Sequence, residues 1–243
     1  MIRYVLAGLV VFAVAAITMA PAGIVDRLVN QSGTAELTHS RGSLWRGQAD
    51  LLVENNHLGQ VQWDFNVGSL FKLRPTYQWT LTQSSWALAG AAGTGFSEAE
   101  FNVSGEVDAQ AVNQWLAAYD ITISGTFNIL PTEVLLPHNA TLPRAFTGQI
   151  NWTGGLVRYT LSGLRSEASL PPLVAYLDLN NDNEPQATVF AQNDQTPLLI
   201  ASVGSNGFAK VGISKRFTQL LNNPWPGSDP DHHIVVQVEE KIF

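Results

Sequence analysis

The chain of 243 residues is apolar for its size and carries little charge. Hydrophobic residues make up 45% of it and charged residues 14%, which excludes a wholly disordered protein and favours a packed core. The formal net charge of -7 argues against nucleic acid as a partner, because neutralising phosphates requires a basic surface. The chain has no cysteine, which excludes thiol nucleophiles, disulfides and cysteine-ligated zinc.

The first segment predicts a membrane anchor. Tyr4 to Ala22 contain no charged side chain, and a helix needs about 20 apolar residues to cross a bilayer. Arg3 precedes this stretch, which favours a cytoplasmic amino terminus and export of the rest of the chain. A cleaved signal peptide is the alternative, since Ala20-Pro21-Ala22 offers small residues for cleavage, but the stretch is longer than a usual signal core. We therefore expect a cytoplasmic stub and transmembrane signal anchor over residues 1–25, and a periplasmic β-rich domain over 26–243.

Beyond the anchor, apolar and polar residues alternate in short runs, which is the pattern of half-buried strands. From Gln60 to Val67 every second residue is apolar, including Trp63. Turn-forming residues separate the runs, and we interpret the glycine-rich stretch from Gly90 to Gly95 as a hairpin connection. The same alternation recurs at 49–53, 77–82, 98–107, 121–123, 157–161 and 234–238.

Two stretches have helical spacing instead. The first runs from Asp108, a typical N-cap residue, to Tyr119. The second spans about Ser214 to Leu221 and cannot continue past Pro224. The predicted fold is therefore mainly β: a single N-terminal transmembrane helix followed by a curved antiparallel β-meander, a taco-like or open-barrel sheet, with one or two short helices.

The candidate chemical motifs lack the accompanying residues that their chemistry requires. Ser69 to Lys72 fit the Ser-x-x-Lys pattern of serine acyl enzymes, but the companion motifs are absent. Asp178 to Glu184 place oxygen ligands at alternate positions, as calcium loops do, yet Asn183 stands where the sharp-turn glycine belongs. The histidines are scattered and form no zinc motif. We predict no catalytic residue, no metal site and no cofactor, and hence a protein that is not an enzyme.

A weak internal echo links two of the runs. Gly59 to Trp63 read Gly-Gln-Val-Gln-Trp, and Gly148 to Trp152 read Gly-Gln-Ile-Asn-Trp. Short alternating segments resemble one another easily, so chance explains the echo as well as a duplicated strand unit does.

The seven tryptophans each need a large apolar contact. Core packing is the favoured interpretation. The alternative is an apolar trough on a curved sheet that accepts acyl chains, with Trp79, Trp86 and Trp152 as its candidate lining.

Several features of the sequence resemble type II secretion system protein N, and the N-terminal span is one of them. The resemblance implies an accessory component that supports export of folded proteins from the periplasm across the outer membrane. It brings no catalytic residues. The matching residues are the Gly-x-Leu-Trp-x-Gly element of Gly42, Leu44, Trp45 and Gly47, the strand ending near Trp63, and the terminal Trp225, Pro226 and Gly227.

The resemblance also implies where the protein resides and what it contacts. We expect a single-pass protein of the Gram-negative inner membrane that touches lipid through its N-terminal helix and acts through contacts with other secretion components. The chain is also similar to AsmA-like periplasmic proteins, whose sheet forms a taco-shaped trough. An AsmA-like lipid-binding or lipid-transfer module, with phospholipid in the trough, is therefore the alternative function. Partners could add a strand to an exposed sheet edge, which the sequence does not identify.

Overall fold

A computed structural model describes residues 21–30, 33, 35–53, 56–161 and 163–242. The runs in which apolar and polar residues alternate form β-strands in it. The strands are β1 (Ala35–Gly42), β2 (Arg46–Val53), β3 (Asn56–Phe65), β4 (Thr76–Gln83), β5 (Trp86–Thr94), β6 (Glu98–Asp108), β7 (Ile121–Ile123), β8 (Thr126–Pro137), β9 (Ala145–Trp152), β10 (Gly155–Leu161), β11 (Leu164–Leu170), β12 (Leu173–Leu179), β13 (Pro185–Ala191), β14 (Leu199–Val203), β15 (Phe208–Ser214) and β16 (Ile234–Lys241).

The helices of the described residues are short. They are α1 (Gly23–Asn30), α2 (Ala109–Leu116), α3 (Lys215–Leu220) and two 3-10 helices, Val67–Lys72 and Ala117–Tyr119. Within this described part, none of the helices combines the length and the apolar character that a membrane crossing requires. The predicted anchor over residues 4–22 lies outside the described residues except for Pro21 and Ala22.

The described chain divides into two units. Unit 1 comprises the residues up to Ser84 together with Ala91–Gly93, and unit 2 comprises Ser85–Gly90 and the residues from Thr94 onward. The predicted boundary between residues 25 and 26 falls inside α1. A single domain over 26–243 stays a prediction.

Unit 1 is built on an antiparallel sheet with the order β1-β2-β3-β4. Its core contains Ala22, Leu37, Ala49 and Trp63, and side chains of α1 pack against it. Because the strands are antiparallel, the end of β1, the start of β2, the end of β3 and the start of β4 share one end of the sheet. The register records this as the pairs Gly42↔Gly47, Arg46↔Asp64 and Phe65↔Tyr77.

Unit 2 contains a large antiparallel sheet and a small one. The large sheet has the order β6-β8-β9-β12-β13-β14-β15-β16, and the small one has the order β11-β10-β7. Trp152 and Leu173 from the large sheet pack with Val157 and Leu170 from the small sheet and with Leu198. The core of unit 2 therefore lies where these two sheets meet.

The prediction of a mainly β fold with a large antiparallel sheet and few short helices is confirmed. Both predicted helices exist: the first follows the predicted cap Asp108, and the second follows Ser214, where the predicted helical stretch begins. The Asp108 carboxylate accepts from Gln110 N at 2.7 Å, and Ser214 Oγ accepts from Phe217 N at 3.3 Å. The curvature of the sheet stays a prediction.

Two local predictions were wrong. The stretch from Gly90 to Gly95 is not a hairpin connection, because β5 continues through it as far as Thr94. Gly93 shows why glycine stands there: a Cβ would lie 2.8 Å from Thr76 Oγ1, so the close approach of a neighbour excludes a side chain. Val67 does not continue β3 but begins a 3-10 helix and is 64% exposed.

Candidate functional site

The Gly-x-Leu-Trp-x-Gly element forms the connection between β1 and β2. Gly42 adopts a φ of +100°, and a Cβ there would lie 2.5 Å from Arg46 O, so the turn admits only glycine. Ser43 closes the turn by donating its N–H to Arg46 O at 2.8 Å. Its hydroxyl accepts from Trp45 N at 3.3 Å and from Arg46 N at 3.2 Å. Leu44 is half-buried within the turn.

Gly47 makes room for the indole of Trp63. A Cβ on Gly47 would lie 2.5 Å from Trp63 Cζ2 and 2.8 Å from Arg41 O. The indole is buried, and its Nε1 donates to Ser43 O at 3.2 Å. The second glycine of the element and the strand ending near Trp63 are therefore parts of one packed joint, which we call the tryptophan joint: Gly42, Ser43, Gly47 and Trp63.

Three aromatic rings extend from this joint across the sheet end. Trp45 meets Phe65 edge-on with 4.9 Å between centroids, and Phe65 meets Tyr77 with 5.0 Å. Phe65 N also donates to Trp45 O at 2.6 Å. Burial raises the pKa of the Tyr77 hydroxyl. Edge-on aromatic pairs stabilise by about 0.5–1.5 kcal/mol beyond their burial, so these rings stabilise this end of unit 1.

Trp152 in unit 2 makes a hydrogen bond of the same kind as Trp63. Its Nε1 donates to Ser124 O at 3.0 Å, as Trp63 donates to Ser43 O. The neighbouring Gly125 has a φ of +101°, and a Cβ there would lie 2.9 Å from the Trp152 Nε1. Each half of the sequence echo thus ends in a buried indole bonded to a serine carbonyl beside a glycine. The duplicated strand unit stays a prediction.

Comparison with known protein families decides which proteins the chain is related to. The family model described as type II secretion system (T2SS), protein N, matches residues 34–217. The chain belongs to this family. It is accordingly a component of type II secretion in the Gram-negative cell envelope. Neither a curated protein nor a solved structure matches the chain.

The protein N match covers only some of the residues that suggested it. Gly42, Leu44, Trp45, Gly47 and Trp63 lie within residues 34–217, and the tryptophan joint is therefore inside the family region. The terminal Trp-Pro-Gly element lies beyond that region.

The terminal element is an exposed segment after α3 in unit 2. Trp225 is 42% exposed, and its N–H donates to Thr218 Oγ1 at 3.1 Å. Pro226 and Gly227 are exposed as well. Lys215 Nζ fixes the segment by donating to Gly227 O at 2.8 Å and to Asp229 O at 2.7 Å. These hydrogen bonds attach the element to α3.

The three candidate trough tryptophans occupy different environments. Trp79 lies on β4 directly opposite Trp63 in unit 1. Trp86 begins β5 in unit 2 and is half-buried. Trp152 is buried in the core of unit 2. Lipid in an apolar trough stays a prediction.

The stretch from Ser69 to Lys72, which fits the Ser-x-x-Lys pattern, has a structural role. Ser69 Oγ donates to Asn66 O and accepts from Thr76 N, so the hydroxyl holds a turn together while Lys72 is exposed. The described residues contain no group of three or more metal-ligating side chains.

Unit 2 contains a shallow cavity of about 370 Å³ beside α3. Asp194 and Arg216 line it and form an ion pair at 3.2 Å. Hydrogen bonds from Thr196, the backbone one first, lower the pKa of the Asp194 carboxyl below its ordinary 3.8, and Arg216 adds to this. Because Asp194 and Arg216 pair with each other, we interpret them as structural residues.

Proposed function

We propose that this protein is an inner-membrane-anchored accessory component of the type II secretion system that supports export of folded proteins from the periplasm across the outer membrane. It acts through protein contacts and without catalysis. The family match over residues 34–217 carries the proposal. The uncharged stretch from Tyr4 to Ala22 supports the anchor.

Deletion of the gene in a secreting host tests the proposal. We expect secreted enzymes to accumulate folded in the periplasm while the medium loses them, and the wild-type gene to restore export. The measurement is enzyme activity in medium, periplasm and cells, with a periplasmic marker as the control for leakage. Undiminished export in the deletion strain would overturn the proposal.

The edge of the large sheet in unit 2 is the contact surface we favour. β16 ends the strand order of that sheet. The edge of the unit 1 sheet is already covered: Leu37 N of β1 donates to Asn30 Oδ1 at the end of α1, and a bulge lies between Thr38 and Arg41. Bulges and covering elements protect an edge from pairing with other chains.

The register of β16 identifies its outward amides. Ile242 N donates to Gly207 O at 2.9 Å, which marks this pair as a hydrogen-bonded one. Hydrogen-bonded and non-hydrogen-bonded pairs alternate in antiparallel sheets. The pairs Gly212↔Gln237 and Lys210↔Glu239 are therefore of the second kind, and Gln237 and Glu239 direct their backbone groups away from β15. A partner strand would bond there.

A proline substitution at an outward position of β16 tests partner binding without disturbing the fold. Glu239→Pro removes an outward N–H and leaves the amides toward β15 intact, so we expect normal folding and loss of complex formation. Glu239→Ala keeps the amide and is the matched control. Copurification of other secretion components with each variant is the measurement. Equal recovery with both variants would exclude this edge.

A further inference from the structure

We propose that the segment from Asn66 to Pro75, called here the apolar loop, inserts its tip into the headgroup region of the bilayer from which the chain emerges. The inference rests on the membrane anchor of the proposed function. It adds to that anchor a second contact with lipid, made by unit 1.

The apolar loop exposes large apolar side chains at its tip. Phe71 is 91% exposed, and Leu73, Val67 and Leu70 are 65%, 64% and 48% exposed. Single exposed apolar residues are ordinary on protein surfaces, but four within seven consecutive positions form a patch, and such patches mark interaction sites.

The loop is held in this outward conformation by its own hydrogen bonds. Ser69 is buried, and its hydroxyl donates to Asn66 O at 2.5 Å and accepts from Thr76 N at 3.0 Å. Leu73 ends the 3-10 helix with a φ of +55°, and its N–H donates to Leu70 O at 3.0 Å. The apolar side chains are thus presented by an ordered turn, which lowers the entropic cost of binding.

The predicted anchor enters unit 1 at a defined end of its sheet. Ala22 N donates to Gly42 O at 3.3 Å, and Pro21 forms an antiparallel bridge with Ser43. Ala22 is buried, and α1 begins at Gly23. The uncharged stretch of the sequence ends at Ala22, and Ala22 is already part of the fold.

The apolar loop lies at this same end. β1 ends at Gly42, where the chain enters, and β3 ends at Phe65, whose N–H donates to Trp45 O in the β1-β2 turn. The loop starts at the next residue, Asn66, whose N–H bonds to Thr76 O. One end of unit 1 thus carries both the point where the predicted span joins the fold and the exposed apolar tip.

The cationic residues of the apolar loop favour lipid over a protein groove as its binding partner. Lys72 and Arg74 are exposed within the apolar loop, although the whole chain has a net charge of -7. Apolar side chains at a tip flanked by cations suit a bilayer interface, where the rings and aliphatic chains enter the acyl boundary and the cations meet phosphates. A span that ends at Pro21 keeps this end of unit 1 beside such phosphates.

Site-specific labels test the insertion, because the chain has no cysteine of its own. Phe71→Cys carries an environment-sensitive NBD probe at the tip. His57→Cys carries it near the start of β3 and is the matched control, since it lies eight residue steps along the strand from Phe65, or about 26 Å. Both full-length proteins are reconstituted in nanodiscs of equal parts phosphatidylethanolamine and phosphatidylglycerol, with and without nitroxide-labelled lipid.

We expect the probe at position 71 to shift its emission to the blue and to lose intensity with nitroxide lipid, while the probe at position 57 does neither. An aqueous spectrum at position 71 in protein that stays with the nanodisc would overturn the insertion and leave the anchor intact. A blue shift there only in native membranes, and not in nanodiscs, would assign the loop to a protein partner and likewise overturn it. Failure of the full chain to stay with nanodiscs would contradict the anchor and this inference together.

Discussion

One added methyl group tests the packing of Gly47 against Trp63. A Cβ there would lie 2.5 Å from the indole of Trp63 and 2.8 Å from Arg41 O, and neither group can move away without disturbing β3 or β1. We expect Gly47→Ala to lower the free energy of unfolding by about 1–3 kcal/mol, the usual effect of overpacking. Urea unfolding followed by tryptophan fluorescence measures it.

Gly23→Ala is the matched control for that substitution. A Cβ on Gly23 meets nothing within 4 Å, and the residue begins α1. Alanine favours helix over glycine, so we expect unchanged or slightly higher stability. Equal losses in both variants would show that the indole contact does not matter.

Asp194 sets a pH dependence of stability. Hydrogen bonds from Thr196 and then Arg216 lower the pKa of this carboxyl in the folded state below its ordinary 3.8. A lowered folded pKa means that the contribution is complete well above pH 3.8 and is lost as the pH falls through the folded value. We expect Asp194→Asn to reduce the loss of urea stability between neutral and acid pH.

Asp178→Asn is the comparison for that experiment, because it removes the same charge from an exposed position on β12. A pH profile of Asp194→Asn identical to that of Asp178→Asn would refute the assigned role of the Thr196 and Arg216 contacts.

The sequence could identify individual residues of the tryptophan joint but not their contacts. Gly42 and Gly47 stood out through the family resemblance, whereas the reason for Gly47 depends on the pairing of β2 with β3. Ser43 offers its carbonyl to Trp63, and any residue has a carbonyl, so no side-chain pattern marks it. The role of Ser69 was hidden likewise, since its hydroxyl bonds only to backbone atoms of its own turn.

The link between α2 and β7 can be tested at the scale of elements. Asn113 donates its Nδ2 to Ile123 O at 2.9 Å and accepts from Ile123 N at 2.8 Å, as a neighbouring strand would. We expect Asn113→Ala to cost about 1–3 kcal/mol of unfolding free energy, because it leaves two backbone groups without these bonds. Hydrogen exchange should rise first at β7.

Gln114→Ala changes the same helix at its exposed side and is the control. Unchanged exchange at β7 in Asn113→Ala would show that the strand does not depend on the helix.

Strands and helices were predictable where side chains alternate clearly or where a cap residue precedes helical spacing. β3 and α2 are examples, because burial on one face imposes the period on the sequence. β5 was misread between Gly90 and Gly95, since glycine in a strand looks like a turn unless the close neighbour, here Thr76, is known. The 3-10 helix at Val67 was missed because its apolar residues point outward and continue the alternation of β3 by chance.

At the scale of the whole molecule, retention of the anchor is the decisive prediction. We expect the full-length protein to resist alkaline extraction from membranes, and a periplasm-active reporter fused after Phe243 to be active. Val10→Arg with Val14→Arg should reduce membrane retention, because each arginine near the centre of a span costs about 2.5–3.5 kcal/mol.

Leu37→Ala, which weakens the core of unit 1 but not the span, is the control for a folding defect. A mature protein that starts after Ala22 and fractionates as soluble would show cleavage and end the anchor assignment.

The attachment of the chain at Pro21 and Ala22 has a mechanical consequence. Two contacts hold the backbone there, because Pro21 pairs with Ser43 and Ala22 N donates to Gly42 O. If the proposed membrane helix precedes Pro21, its tilt or rotation would displace the β1-β2 turn, in which the Ser43 carbonyl accepts a hydrogen bond from the indole of Trp63. The tryptophan joint would then transmit a movement of that helix to β2 and β3.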